Sequence, residues 1–452
     1  MFKNQIRKEE NSMYKNLSAP LVIQVELTEN CPNQCLHCYN YWRHAGGSYE
    51  GAASMSSQQI DHIMTEIEHA KVFEIVITGG EPFLNKLGMF RMLDRIEEKE
   101  FMSATINSSL LGMTTTDAKQ LSRYRCLRGV LTSIMGPSEE IHDRISGHSG
   151  SFRKTIDGVE TLRDLQISVS ANMVVSRLNK NYIEQTAALC KELGVSIFNA
   201  TRATSPTNCP DFSPYALDLA ELREYLSILG EASRKNDIPV GVLTVYPLCG
   251  VRDVSKYFMT AGRRCSAGIT VAAISPSGEL RACTHLQEGV GSIFSESLST
   301  LWNKLISWRD GSLLPMTCKN CKALGICGGG CRADAQVING SLCADDPLIS
   351  EKDVDIAIKE YQLFTEENQF NAEIPPLLIV NPDLRWRNES FGSVCFLGNQ
   401  CAGIFNDDTT KLVFEELAGK TNPKADLLRM LSEKFLNELY GKHILLAGTN
   451  SL

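Results

Sequence analysis

At roughly 150 residues per domain, a chain of 452 residues holds about three structural units and is long enough to bury a large core. Hydrophobic residues make up 43%, charged residues 22%, and the net charge is −8, which excludes a disordered chain and a coat for polyanions. No uncharged apolar run reaches the roughly 18 residues of a membrane span, and the charged amino end lacks a signal core, so the chain is expected in the cytoplasm.

From Leu21 to about Asn199, short β-like runs alternate with helical patterns, the rhythm of βα units. LVIQVEL (21–27), FEIVITGG (73–80), SATIN (103–107), GVLTS (129–133), SVSANMVV (168–175) and VSIFNA (195–200) predict six strands, hence a partial or complete barrel. Ser56 and Gln59 form a capping box, after which Ile60, Ile63, Met64 and Ile67 recur at helical spacing. Leu219, Leu222, Leu226 and Leu229, behind Asp218 as cap, mark the helix after the sixth strand.

The rhythm then breaks. From about Pro239 to Asp346 the chain is rich in Gly, Cys and short strands, which suits a small domain held by inorganic clusters more than by apolar burial. Residues 351–369 read as a helix and NAEIPPLL as a linker. The last unit reads as two or three strands (LLIV, LRWR, GSVCFL) and two helices (TTKLVFEELAG and ADLLRMLSEKFLNELY).

Sixteen cysteines are the outlier of the composition, and most stand in tight groups. In a reducing compartment clustered thiols hold metal more often than they form disulfides. Cys31, Cys35 and Cys38 follow the first strand in TENCPNQCLHCYN, at the edge where α/β proteins place active sites. Three thiolates leave one iron of a cubane open, whereas structural zinc needs a fourth ligand, for which His37 is available.

CxxxCxxC followed by the aromatic Tyr39 resembles the signature of radical S-adenosylmethionine (SAM) enzymes. That resemblance implies a partial (β/α)6 TIM-type barrel, a [4Fe-4S] cluster on the three cysteines, SAM on its open iron, and hydrogen abstraction by a 5'-deoxyadenosyl radical. Gly79, Gly80, Glu81 and Pro82 match the family's GGEP element, whose backbone and carboxylate hold the cofactor's ammonium group; a strand-to-helix turn explains the glycines equally well. Asn107 stands where the family shows Thr-Asn-Gly, here Ile106-Asn107-Ser108. Ser133 resembles the serine of the family's Ser-x-Asp-Gly-Pro run, with Met135 replacing the aspartate. Arg144 matches a position that pairs the cofactor carboxylate, against the alternative of a surface ion pair, and Asn172 on the fifth strand is a further candidate contact.

Cys265, twelve residues, Gly278, four residues and Cys283 precede Cys318, Cys321, Cys327, Cys331 and Cys343. This order resembles the seven-cysteine SPASM extension, which implies two auxiliary [4Fe-4S] clusters, three in all. By the family's crossed connectivity, Cys265, Cys283 and Cys331 hold the first and Cys318, Cys321, Cys327 and Cys343 close the second. Cys249 is expected either to complete the first, or to leave an open iron there for a substrate thiolate. Zinc in C-x2-C-x5-C-x3-C is the alternative. Of the cysteines left, 126, 190, 209, 395 and 401, most are expected to be small core residues, and Cys395 and Cys401 flank an expected hairpin.

The segment from Leu384 to Lys420 resembles the small element related to the pyrroloquinoline-quinone peptide chaperone, with Asn406 before a helix and Gly419 after it. The resemblance implies a small α+β, winged-helix-like domain that binds a precursor's leader by strand addition, against the alternative of a plain capping domain. The expected organisation is an extension (1–20), the barrel (21–238), the cluster domain (239–350), a helical linker (351–375) and the leader-recognition element (376–452). Together these resemblances imply a maturase that installs an oxidative crosslink, a thioether or a carbon–carbon bond, in a ribosomally made peptide, served by a flavodoxin- or ferredoxin-type electron donor. A sulfatase maturase and a non-enzymatic iron–sulfur carrier are the alternatives. No residue is singled out as the general base.

Overall fold

The computed structural model describes residues 15–40, 42, 53–206, 212–367, 373–398 and 400–448. They form two compact units, Met1–Phe364 and Thr365–Leu452. Cys209 lies outside the described residues. Among them, no helix is long and apolar enough to cross a membrane.

In the first unit, strand β1 (Val22–Glu26) leads to helix α1 (Ser57–His69), and the unit repeats through β2 (Glu74–Thr78), α2 (Lys86–Glu97), β3 (Ser103–Asn107), α3 (Thr115–Leu121) and β4 (Leu127–Ser133). Helices α4 (Glu139–Ser146) and α5 (Ser151–Asp164), strand β5 (Val169–Val175), α6 (Ile183–Glu192), β6 (Ile197–Arg202) and α7 (Leu219–Asn236) follow. These six strands pair in parallel and in chain order, giving a largely parallel α/β sheet. Each expected strand is present, with ends shifted by up to two residues.

Local chemistry sets the helices. The Ser56 hydroxyl accepts the Gln59 amide at 3.3 Å while Ser56 N donates to Gln59 Oε1 at 2.9 Å, a reciprocal cap at the start of α1. Ile60, Ile63, Met64 and Ile67 then face the sheet, buried, each contributing about 1.5–3 kcal/mol. Asp218 caps α7 in the same way with Glu221. Along β5, Val169, Ala171, Met173 and Val175 are buried while Ser170, Asn172 and Val174 are half-buried on the other face, the period of two of a strand.

The cysteine-rich segment does not stand apart from this sheet. It begins with β7 (Val240–Gly241), parallel to β6, and the turn α8 (Leu248–Val251). β8 (Val271–Ile274) pairs in parallel with β1, and β9 (Leu280–Arg281) joins β8 antiparallel. Short helices α9 (Leu298–Lys304), α10 (Met316–Lys319), α11 (Leu324–Cys327) and α12 (Arg332–Asn339) carry the later cysteines, and α13 (Val354–Glu367) follows.

The second unit contains two three-stranded sheets. One holds β10 (Leu377–Val380) between β14 (Asn422–Pro423) and β15 (Leu445–Ala447); the other runs β11 (Arg385–Glu389), β12 (Gly392–Leu397), β13 (Gln400–Phe405). The sequence-based count of two or three strands is therefore too low. QCAGIF lacks the β-branched alternation of a strand, yet it pairs with β12 as the return arm of the hairpin that Cys395 and Cys401 flank. The last expected helix is two, α15 (Lys424–Met430) and α16 (Glu433–Gly441). Leu431 is extended, and the Ser432 hydroxyl caps α16 by accepting the Phe435 amide at 3.2 Å. Between the hairpin and β14 lie α14 (Asp407–Lys411), capped by Asn406, and a π-helical turn, Leu412–Leu417.

Candidate functional site

The carboxyl ends of the parallel strands surround a cavity of about 330 Å³. Register brings the lining together: Asn107 lies beside Leu131, Ser133 beside Asn172, and Asn172 beside Asn199. Cys31, Cys35 and Cys38, on the loop after β1, line it together with Tyr39, Gly79, Gly80, Asn107, Ser133 and Asn172.

The cysteine loop is held by backbone more than by side chains. Gln34 N donates to Ser146 O at 2.7 Å and Cys38 N to Cys35 O at 3.1 Å. His148 Nδ1 sits 2.9 Å from Pro32 O. Asn40, which sequence reasoning missed although it directly follows Tyr39, donates through Nδ2 to Gly79 O at 3.0 Å and so ties the loop to the turn after β2. That turn needs glycine: Gly79 has φ +133°, and a Cβ there would stand 2.6 Å from Thr28 O.

Three sequence-predicted contacts fall elsewhere. Glu81 is fully buried and does not line the cavity; it accepts the Ser108 hydroxyl at 2.6 Å, the Ser109 amide at 2.8 Å, the Ser109 hydroxyl and the Phe83 amide at 3.1 Å. Burial pushes its carboxyl up, opposed by those donors. It braces the turns after β2 and β3 through Ser108, which stands at the third position of the triplet, and Ser109 behind it. Pro82 is buried at the start of a short 3-10 turn. Arg144 is exposed on α4, where its Nη2 donates to Leu178 O at 3.3 Å. Ile141, His142, Ile145 and Ser146 form the buried face of that helix, and Arg144 lies outside it.

The cavity's other lining residues include His142, His285, Arg202 and Thr204. The Tyr39 ring stacks on His285 with centroids 4.2 Å apart, and His285 Nδ1 meets Thr204 Oγ1 at 3.1 Å. His142 Nδ1 accepts the Met135 amide at 3.2 Å, and burial pushes its pKa down to about 4. An unfolded histidine titrates near about 6.5, so as pH falls the unfolded chain takes the proton first. The stabilisation from neutral His142 is complete above that value and is lost between about 6.5 and 4, by up to about 3 kcal/mol. The melting temperature of the parent minus that of His142→Gln should therefore shrink as pH falls across this window; a constant difference would show that His142 does not titrate as the structure requires.

The second cysteine field forms two groups. Cys265 lies within electrostatic reach of both Cys283 and Cys331. Cys318, Cys321 and Cys327 line a separate void, and Cys249 lines it with them rather than joining the first group. Cys343 is exposed, its Sγ 3.6 Å from Ser312 O. Among the described residues, no three His, Cys, Asp or Glu side chains converge on a point as ligands of a single ion would. Thiolates arranged around a shared void suit iron–sulfur clusters, in which each iron takes its own cysteine. Burial pushes the Cys318 thiol up to about 11, so at neutral pH it becomes a thiolate when a metal cation takes its proton's place.

Residues 25–190 match the family model described as Radical SAM superfamily. Over 355 residues the chain is 24% identical to the AdoMet-dependent heme synthase of Methanosarcina barkeri, spanning 73% of this chain and 96% of that relative. Over 357 residues it is 23% identical to the PqqA peptide cyclase of Rhodopseudomonas palustris, spanning 74% and 88%. Among solved structures, Streptococcus suis SuiB bound to precursor peptide SuiA superposes with TM-score 0.59 at 16% identity over 73% of this chain and 75% of that one; SuiB is also solved with S-adenosylmethionine. The cysteine triad at the mouth of the parallel α/β sheet thus lies within the segment, residues 25–190, that is similar to the radical SAM superfamily.

Proposed function

We propose that the chain is a maturase that installs an oxidative crosslink, a thioether or a carbon–carbon bond, in a ribosomally synthesised precursor peptide. The observation that carries the reading is one cavity with two sources of chemistry at its walls. Cys31, Cys35 and Cys38 stand on the strand-end side, and Thr284 and His285, adjoining Cys283, stand on the other. A relative named a peptide cyclase and a fold shared with a protein solved on its precursor peptide support the peptide as substrate class.

Cys31, Cys35 and Cys38 would hold a [4Fe-4S] cluster, and the Gly79–Gly80 backbone, Asn107, Ser133 and Asn172 would hold SAM. Held there, the two groups would supply one-electron cleavage of a carbon–sulfur bond and so hydrogen abstraction from an unactivated carbon. The chain's own part would be to surround that step: the strand ends and the Tyr39–His285 stack stand at the walls of the cavity. Cys265, Cys283 and Cys331, and separately the group around Cys318, Cys321 and Cys327, would hold two auxiliary clusters able to take the second electron, with a flavodoxin- or ferredoxin-type protein supplying the first. The barrel would occupy 21–238, the cluster domain 239–350 and the linker 351–375.

Residues 376–452 would bind the leader. β11 and β13 are the outer strands of their sheet, and Trp386 of β11, partly exposed, stacks on Phe414 of the π-helical turn with centroids 4.4 Å apart. An edge strand beside an aromatic pair suits strand addition with a side-chain pocket.

Incubating the reduced enzyme with SAM and its precursor peptide should give a product lighter by about two hydrogens. A product of unchanged mass contradicts an oxidative crosslink. Deleting residues 376–452 should abolish crosslinking while leaving SAM cleavage in the absence of peptide. A sulfatase maturase, or an enzyme acting on a small molecule, would keep its turnover after the same deletion.

A further inference from the structure

We infer that Cys249, and not Cys343, is the fourth thiolate of the second auxiliary cluster. The inference rests on the reading of the cysteine-rich segment as a cluster-binding unit, and it changes which cysteines serve which cluster. Spacing along the chain joins Cys343 to Cys318, Cys321 and Cys327, but spacing says nothing of what the fold brings alongside them. The turn α8 supplies that neighbour. Cys249 shares the wall of their void, closed on the other sides by Gly329, Ile349 and Val354, and it stands within electrostatic reach of Cys321 and Cys327.

The amides around the void are already arranged for sulfur. Leu248 N donates to Cys327 Sγ at 3.2 Å, and Ser350 N donates to Cys249 Sγ at 3.4 Å. Such donors stabilise cluster-bound thiolates and set the potential of the cluster. Cys343 has none of this: it is exposed, outside the void, its own amide donating to Ser341 Oγ at 3.2 Å and its Sγ directed at the Ser312 carbonyl.

The assignment has a consequence for the first auxiliary cluster. A thiolate ligating the second is unavailable to the first, so among the described residues Cys265, Cys283 and Cys331 are left to hold theirs with three cysteines. An iron there keeps a position open for an incoming sulfur ligand, and a substrate thiolate is the ligand class that suits it. Of the two outcomes that the sequence left open for Cys249, the fold favours the second.

The test is alkylation of the full-length protein after anaerobic reconstitution, with the labelled cysteines identified by mass spectrometry once the clusters are removed. Cys343 should be labelled, and Cys249 should be protected together with Cys318, Cys321 and Cys327. In parallel, Cys249→Ala should lose iron, up to about four per chain, while Cys343→Ala keeps the parent's content. Protection of Cys343, labelling of Cys249, or iron lost from Cys343→Ala overturns the assignment. A chain that takes up no iron at all overturns instead the cluster reading on which it rests. The labelling needs no variant, so a Cys249→Ala protein that fails to fold does not shelter the proposal.

Discussion

Cys35→Ala should retain the fold and lose about four irons per chain, together with all cleavage of SAM. The loop that carries Cys35 is fixed by Gln34 N to Ser146 O, Cys38 N to Cys35 O and Asn40 Nδ2 to Gly79 O, none of which uses a thiol. Removing one sulfur therefore leaves the scaffold standing while the three-thiolate set falls to two. Iron analysis and the electron paramagnetic resonance spectrum of the reduced protein, with and without SAM, check this. A variant that kept the parent's iron and its SAM-dependent spectral change would show that Cys35 is no ligand.

Arg202→Met should cost about 3–5 kcal/mol of stability, the loss expected when one half of a buried ion pair is removed. Arg202 ends β6 and pairs with Asp334 of α12, the two side chains 7% and 1% exposed. Its guanidinium also stands 5.6 Å from the Tyr246 ring centroid. The pair bridges the strand-end cavity to the second cysteine field, because Asp334 N donates to Cys331 Sγ at 3.5 Å. Without Arg202 the buried Asp334 carboxylate loses its ion-pair partner. Replacing both partners, in Arg202→Met with Asp334→Leu, removes the charge along with its need for one and should recover most of the loss. Denaturant midpoints measured anaerobically on parent, single and double variants give the comparison. A single variant as stable as the parent, or a double variant no better than the single, contradicts this account of the pair.

What could be read from the sequence was what depends on near neighbours. The six strands, the Ser56–Gln59 cap and the Cys31, Cys35, Cys38 triplet are encoded within a few residues of themselves, and each stands where the pattern put it. Arg144 shows the limit of a motif: its position matched, but the buried residues of α4 at helical spacing turn it outward. Those residues were legible as a pattern and would have placed it. Glu81 kept its place and changed its contacts, because Ser108 and Ser109 supply donors that claim its carboxylate.

The cavity's far wall was hidden for a different reason. Arg202, Thr204 and His285 carry no local signature: Arg202 ends β6 with Thr204 two residues on, and the pairing of β8 with β1 brings His285 to the same strand ends. Cys249 is the same case: the bond from its neighbour Leu248 to Cys327 spans 79 positions. In the second unit, β13 was missed because a weak strand sequence is recruited by its hairpin partner, a tertiary effect that outweighs propensity.

The most direct test is whether the anaerobically reconstituted protein, given one-electron reductant and SAM, releases 5'-deoxyadenosine. A cubane on Cys31, Cys35 and Cys38 with one iron open to the cofactor requires that it does, with Cys35→Ala as the blank. Full-length protein carrying its complete iron and sulfide yet releasing none, or one that takes up zinc in their place, would contradict the site at its root.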